Sequence, residues 1–144
     1  MASILIVDDD NAVSLIMKLL LEREGHRITC ASDGPTALRI FREEEFDLLI
    51  VDIFMPGMDG LETMKLVHNY RPGVPIIVIS GHAFSSRTTP SPDFLGMSTK
   101  LGAICSLQKP FKSAVLLSCV AHALEQHNAL PDSASNSNAV SQPY

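Results

Sequence analysis

The chain predicts an α/β fold: a doubly wound, five-stranded parallel sheet with helices on both faces. Short apolar runs alternate with segments of helical spacing five times along the 144 residues. The runs are continuous rather than alternating in polarity, as in strands covered on both faces. Repeated strand–helix alternation joins parallel strands by right-handed helical crossovers. The length suits one domain with a single sizeable core.

The elements follow in order. Residues 4–7 form the first strand. Residues 11–24 carry Val13, Ile16, Leu19 and Leu20 at helical spacing, predicted to face inward, and Gly25 is placed to close that helix. Residues 27–31 read as a strand. Pro35 suits the first turn of a helix running to about residue 44, with Leu38 and Phe41 inward and Glu43-Glu44-Glu45 as its solvated end. Residues 46–51 form the third strand and residues 61–70 the third helix, stopped by Arg71-Pro72-Gly73. Residues 75–80 are a fourth, very apolar strand. Residues 84–92, rich in Ser, Thr and Pro, suit a loop. Ser91 as cap, Pro92 in the first turn and Asp93 at the positive end then start a late helix to about Leu101. Residues 103–107 form the fifth strand and 111–126 the last helix. The Ser/Asn-rich residues 128–144 predict a disordered tail, leaving 1–127 as the folded domain.

Composition narrows the function. Hydrophobic residues make up 46% and charged residues 19%, an ordinary globular balance. A net charge of −5 with no basic stripe argues against direct nucleic-acid binding. No segment approaches the roughly 20 apolar residues of a membrane span, and the first residues lack the charged leader of a signal peptide. Cys30, Cys105 and Cys119 are widely spaced and odd in number, predicting buried free thiols in a reducing, cytoplasmic compartment. The five histidines show no ligand spacing.

A sheet of this class binds ligands beyond the carboxyl ends of its strands. Polar residues stand there: Asp8, Asp9 and Asp10 after the first strand, Asp52 after the third, Ser80 at the end of the fourth and Lys109 after the fifth. Alone, the aspartates fit a solvated loop and a helix cap equally well. Complementary groups at four strand ends favour a site. Carboxylates crowded at ~4 Å repel by up to about 4 kcal/mol at an effective dielectric near 20. Either Mg²⁺, a hard cation held by one or two carboxylates, or the Lys109 ammonium could compensate.

The motifs resemble the response-regulator receiver family of two-component signalling. Ile4-Leu5-Ile6-Val7-Asp8-Asp9-Asp10 matches its acidic start. The run from Leu48 through Asp52-Ile53-Phe54-Met55-Pro56 to Asp59-Gly60 matches its phosphoacceptor segment. Ile76-Ile77-Val78-Ile79-Ser80-Gly81 matches its hydroxyl strand, and Lys109-Pro110-Phe111 its lysine motif. Each is weak alone; the four in order, across about residues 3–126, are specific. The resemblance implies a flavodoxin-like sheet of strand order 2-1-3-4-5 and a switch that takes a phosphoryl group onto Asp52. Asp9 and Asp52 would ligate Mg²⁺ directly, with the backbone carbonyl of Phe54, and Asp8 through water. Lys109 and Ser80 would meet the phosphoryl oxygens. Asp10 falls on a variable acidic position and is not taken as a ligand. Gly81 would leave an opening for the donor, and Phe54 and His82 would either slow hydrolysis by their bulk or fill the loops with no kinetic role. The implied partners are a histidine kinase or histidine phosphotransfer protein and a downstream protein, with a homodimer on phosphorylation as a further expectation. Such a protein catalyses only its own phosphorylation and dephosphorylation.

Rival readings are weaker. A flavodoxin-type FMN binder needs a phosphate-cradling loop where three aspartates stand. A phosphatase of the haloacid-dehalogenase type needs an acid two residues after the nucleophile, where Phe54 stands. A receiver-like binding module that never uses phosphate is the remaining alternative. Three departures bear on output. Ser106 replaces the aromatic residue usual three positions before the lysine. The segment between strands four and five is long. After the last helix the sequence is expected to hold no output domain, its tail reading either as a native end or as a truncated linker. Output is therefore expected to pass through residues 84–101 by repositioning of loop and helix.

Overall fold

The computed structural model describes residues 1–53, 55, 60–80 and 103–129. Among these, β1 (Ser3–Val7), α1 (Asn11–Arg23), β2 (Arg27–Ala31), α2 (Gly34–Glu43), β3 (Leu48–Asp52), α3 (Gly60–Tyr70), β4 (Ile76–Ser80), β5 (Ala103–Gln108) and α4 (Ser113–Ala129) follow one another. The strands form one parallel sheet in the order β2-β1-β3-β4-β5. The fold class and strand order expected from the sequence are those observed.

Side chains of successive strand residues fall on opposite faces, and here both faces are covered. Leu5, Val7, Leu49, Val51, Ile76 and Val78 pack with Ala37, Leu38 and Phe41 of α2 and Met64 and Val67 of α3. Ile4, Ile6, Leu48, Ile50, Ile77 and Ile79 pack with Met17 and Leu21 of α1 and Leu116, Val120 and Ala123 of α4. This two-sided burial explains the continuous apolar runs. In the central strands β1, β3 and β4 it also leaves only the strand ends for polar side chains.

Capping sets where the helices begin. The Asp10 carboxylate accepts the N–H groups of Ala12 and Val13, and that of Asp33 accepts the Thr36 N–H, 2.8 Å away. α1 ends at Arg23, and just beyond its cap Gly25 takes a left-handed φ of 94°, its N–H donating to the Glu22 carbonyl. Asp33 is held below the usual carboxylate range, chiefly by its hydrogen bonds from Thr36.

Three expectations are corrected. α1 buries Ser14, Met17 and Leu21, with Val13 and Leu20 partly covered, whereas Ile16 and Leu19 are more than half exposed. The run Leu15–Met17 followed by Leu19–Leu21 is apolar at every phase, so spacing alone does not select a face. The Asp10 cap and the burial of Ser14, whose hydroxyl lies 3.5 Å from the Asp8 carbonyl, set the rotation instead. The thiols are free but not buried: Cys30 is exposed, and Cys105 and Cys119 are half-buried. β3 starts at Leu48 rather than residue 46; just before it Asp47 accepts the Ser3 N–H on its carboxylate at 2.9 Å and donates its own N–H to the Ser3 carbonyl at 2.7 Å. The predicted late helix to Leu101, the loop 84–92 and most of the predicted tail lie outside the described residues.

Candidate functional site

The parallel register brings the carboxyl ends of β1, β3, β4 and β5 to one rim. Val7 is in register with Val51, so Asp8 follows β1 beside Asp52, the last residue of β3. Asp52 is in register with Ile79, one residue before Ser80, and Ser80 is in register with Gln108, one residue before Lys109. The Lys109 N–H donates to the Ser80 carbonyl at 2.8 Å, which continues the β4–β5 ladder one step past the strand. The bond from Lys109 to Pro110 is cis.

The side chains converge at that rim. The Lys109 ammonium lies 2.9 Å from Asp8 Oδ2 and 3.1 Å from Asp52 Oδ2, donating a hydrogen bond to the latter. Asp8 is fully buried and Asp52 nearly so, while Asp9 is exposed. Oxygen atoms of Asp8, Asp9 and Asp52 come within 4.8 Å of one another. No other such group of metal-capable side chains occurs among the described residues. Ser80 is buried at the end of the neighbouring strand.

The electrostatics follow from crowding. Burial pushes the Asp8 carboxyl above its ordinary range, and the Asp52 charge adds to this; Lys109 and the Asp10 N–H only partly offset it. Burial alone would lower the Lys109 ammonium, but the hydrogen bond and charge of Asp8, together with Asp52, outweigh it and hold the group above its ordinary value. One cation therefore faces two buried carboxylates and a third close by.

Asp8 shows where a second cation fits. Its Oδ1 accepts the Asp10 N–H at 2.9 Å. Its Oδ2 is buried and faces the Lys109 ammonium at 2.9 Å, with no backbone donor of its own. A buried carboxylate oxygen with spare acceptor capacity, beside two further carboxylates, is a donor set suited to a hard, oxygen-seeking cation such as Mg²⁺.

Beside Lys109 opens a cleft walled by Asp10, Val13, Ile16, Pro110 and Phe111. The exposed Ile16 joins Leu15 and Leu19 in an apolar stripe along α1.

The chain matches the family described as the response regulator receiver domain over residues 4–121. The chain belongs to this family. It is 35% identical over 130 residues to the transcriptional regulatory protein ZraR of Klebsiella oxytoca, covering 90% of this chain but 28% of ZraR. The chain thus spans little more than a quarter of the length of that curated relative. Among solved structures it resembles a CheY-like receiver domain protein of Methanospirillum hungatei, with 30% identity, a TM-score of 0.80, and coverage of 89% of this chain and 97% of that one. A receiver domain protein of Clostridium thermocellum gives 28% identity, a TM-score of 0.79, and coverage of 91% and 100%. Receivers are signalling modules of two-component systems, and they bind Mg²⁺ at an acidic pocket; this chain gathers Asp8, Asp9 and Asp52 in one cluster.

Of the site residues expected from sequence, this receiver brings Asp8, Asp9, Asp52 and Lys109 together and sets Ser80 on the same rim. Phe54, Gly81 and His82 lie outside the described residues. Asp10 caps α1 and takes no place in the cluster. Ser106 sits exposed on β5. Sequence reasoning did not single out Gly60. Its N–H donates to the Ile53 carbonyl at 2.8 Å, and a Cβ there would come within 2.5 Å of Ile53 Cα and 2.8 Å of the Asp52 carbonyl carbon. The first residue of α3 is thus pressed against the backbone that carries Asp52. Only its place in the phosphoacceptor motif could have signalled this.

Proposed function

We propose that this receiver takes a phosphoryl group onto Asp52 from a phosphohistidine of a histidine kinase or histidine phosphotransfer protein. The observation that carries the reading is the Lys109 ammonium between Asp8 and Asp52, at 2.9 and 3.1 Å, with Asp9 alongside. A carboxylate oxygen of Asp52 attacks phosphorus, the P–N bond breaks, and the imidazole leaves. Transfer adds negative charge at the rim, and Lys109 shifts from pairing with a bare carboxylate to pairing with the phosphoryl oxygens. The Ser80 hydroxyl donates to those same oxygens. Asp9 and Asp52 would hold Mg²⁺ directly with the Phe54 carbonyl, and Asp8 would do so through water; bound there, the ion neutralises charge on the carboxylates and the phosphoryl group.

The apolar stripe of α1 beside the cleft is the docking face for the donor protein, since exposed apolar patches of this kind mark contact surfaces. The folded unit is the receiver, residues 1–127. It acts in the cytoplasm, through protein contacts or a phosphorelay, with dimerisation on phosphorylation. It catalyses only its own phosphorylation and dephosphorylation and does not bind nucleic acid directly. No helix among the described residues is long and apolar enough to cross a membrane.

Incubation with acetyl phosphate and Mg²⁺ tests the reading. One base-labile phosphoryl adduct is expected by mass spectrometry, lost in Asp52→Asn. Labelling of the same peptide in that variant, or none in the parent chain, would overturn it and favour a binding module that does not use phosphate.

A further inference from the structure

β5 carries an irregularity with a chemical consequence. Ile76 is in register with Ala103, but Ile77 is in register with Cys105, so Ile104 is an extra residue. An extra residue in one strand switches the face on which the following side chains fall. Ala103 accordingly packs with the α2 and α3 layer, whereas Cys105 and Leu107 pack with the α1 and α4 layer. The bulge turns the Cys105 thiol toward α4. There Cys119 packs against the same core, flanked along the helix by the buried Leu116 and Val120. The two thiols lie within hydrogen-bonding reach of each other, free and half-buried. Neither belongs to the acidic site.

We propose that Cys105 and Cys119 are a redox pair, which a hydroperoxide converts reversibly into an intramolecular disulfide. Burial, then the hydrogen bond and charge of Cys105, push the Cys119 thiol up to about 11, so it keeps its proton. Attack therefore falls to Cys105. Its sulfur, giving up its proton, bonds to a peroxide oxygen, the O–O bond breaks, and the departing alkoxide takes up that proton and leaves as an alcohol (water, for hydrogen peroxide). Cys105 is then a sulfenic acid. The Cys119 sulfur attacks the Cys105 sulfur, the S–O bond breaks, and the hydroxide leaves as water with the Cys119 proton. Two thiols give up two electrons and two protons, and the hydroperoxide is reduced to an alcohol and water. The resulting ring spans residues 105–119 and contains Lys109, so oxidation ties the lysine turn to α4. The proposal rests on the packing of β5 against α4 and not on the phosphoryl chemistry at Asp52.

The test uses the full, reduced 144-residue chain exposed to hydrogen peroxide, alkylated, and digested with trypsin. Cleavage after Lys100 and Lys112 puts Cys105 in peptide 101–112 and Cys119 in peptide 113–144. The expected result is these two peptides joined, formed at a rate independent of protein concentration, separated again by dithiothreitol, and retained in Cys30→Ser. Cys105→Ser and Cys119→Ser should each abolish the joined pair. Disulfides that run mainly through Cys30, or oxidation of Cys105 to sulfinic acid with no joined pair in the parent chain, would overturn the proposal. So would a chain left unoxidised under conditions that oxidise a free thiol peptide.

Discussion

Lys109→Met tests the electrostatic argument at its centre. The substitution keeps a long apolar stem and removes the ammonium. In its absence Asp8 and Asp52 face each other with oxygens within 4.8 Å. At that distance and an effective dielectric of ~20, the repulsion is about 3.5 kcal/mol. Breaking a buried pair by deleting one partner typically costs about 3–5 kcal/mol. The Lys109 side chain keeps 17% exposure, so water already screens part of the pairing. Protonation of Asp8, whose folded pKa is raised chiefly by burial, relieves another part. A loss of about 2–4 kcal/mol near neutral pH is therefore expected, in chelator and without metal. The sign with pH is fixed. A carboxyl whose folded pKa is raised adds stability at low pH and loses it as pH rises through the folded value. The variant should thus fall further below the parent as pH rises through that range. Mg²⁺ should stabilise the variant more than the parent, since it then supplies the missing positive charge. Urea unfolding midpoints with and without Mg²⁺ measure this. Equal stability of variant and parent in chelator, or equal Mg²⁺ stabilisation of the two, would refute the reasoning.

Other outcomes are expected elsewhere. Gly60→Ala forces a methyl into the Asp52–Ile53 backbone; a loss of about 1–3 kcal/mol and slower acetyl phosphate labelling should follow, and unchanged labelling would show that α3 does not position Asp52. His26 accepts the Ala2 N–H at Nδ1, and burial first, then the N-terminal ammonium, hold it below its ordinary value of 6.5. The neutral form is the one the fold prefers, so stability is full above that value and is lost as pH falls below it toward the folded pKa. Denaturant midpoints of the parent should drop more steeply than those of His26→Gln between about pH 7 and about pH 5. Leu15→Glu with Leu19→Glu charges the exposed stripe of α1. Phosphotransfer from the donor protein should fall roughly tenfold or more while acetyl phosphate labelling holds, and equal losses in both assays would place the effect in the fold.

The sheet and the acidic rim were legible because both follow from one constraint. A strand covered on both faces admits polar side chains only at its ends, so Asp8, Asp52, Ser80 and Lys109 reported the strand boundaries and the site at once. The phase of α1 was not legible. With Leu15, Ile16, Met17, Leu19, Leu20 and Leu21 all apolar, burial of a stripe gains similar free energy at several rotations. The choice is made by Asp10 and Ser14, whose hydrogen bonds depend on where β1 ends. The thiols failed for a related reason. Apolar neighbours in sequence suggested buried thiols, but Cys30 lies on the edge strand β2 and Cys105 on the edge strand β5, where covering is incomplete. The face of Cys105 depends on the bulge at Ile104, which period-two alternation does not reveal.

The polar rim also explains how a stable sheet can hold an unstable site. Burying Asp8 and Asp52 within reach of one another opposes folding, and Lys109 offsets only part of that, because one ammonium serves two carboxylates. The cost falls on backbone that is otherwise held firmly: Asp52 by β1 and β4 on either side, with the Ile53 N–H donating to the Ile79 carbonyl at 2.9 Å, and Asp8 by its N–H to Ala31 at 3.1 Å. Lys109 is held less firmly, on a turn after an edge strand. A change of charge at Asp52 therefore meets two fixed carboxylates and one adjustable cation. If Asp52 takes the phosphoryl group as proposed, Lys109 is the group expected to respond. A disulfide between Cys105 and Cys119 would stiffen that same turn. Oxidation would then limit the Lys109 response without touching any residue that meets the phosphoryl group.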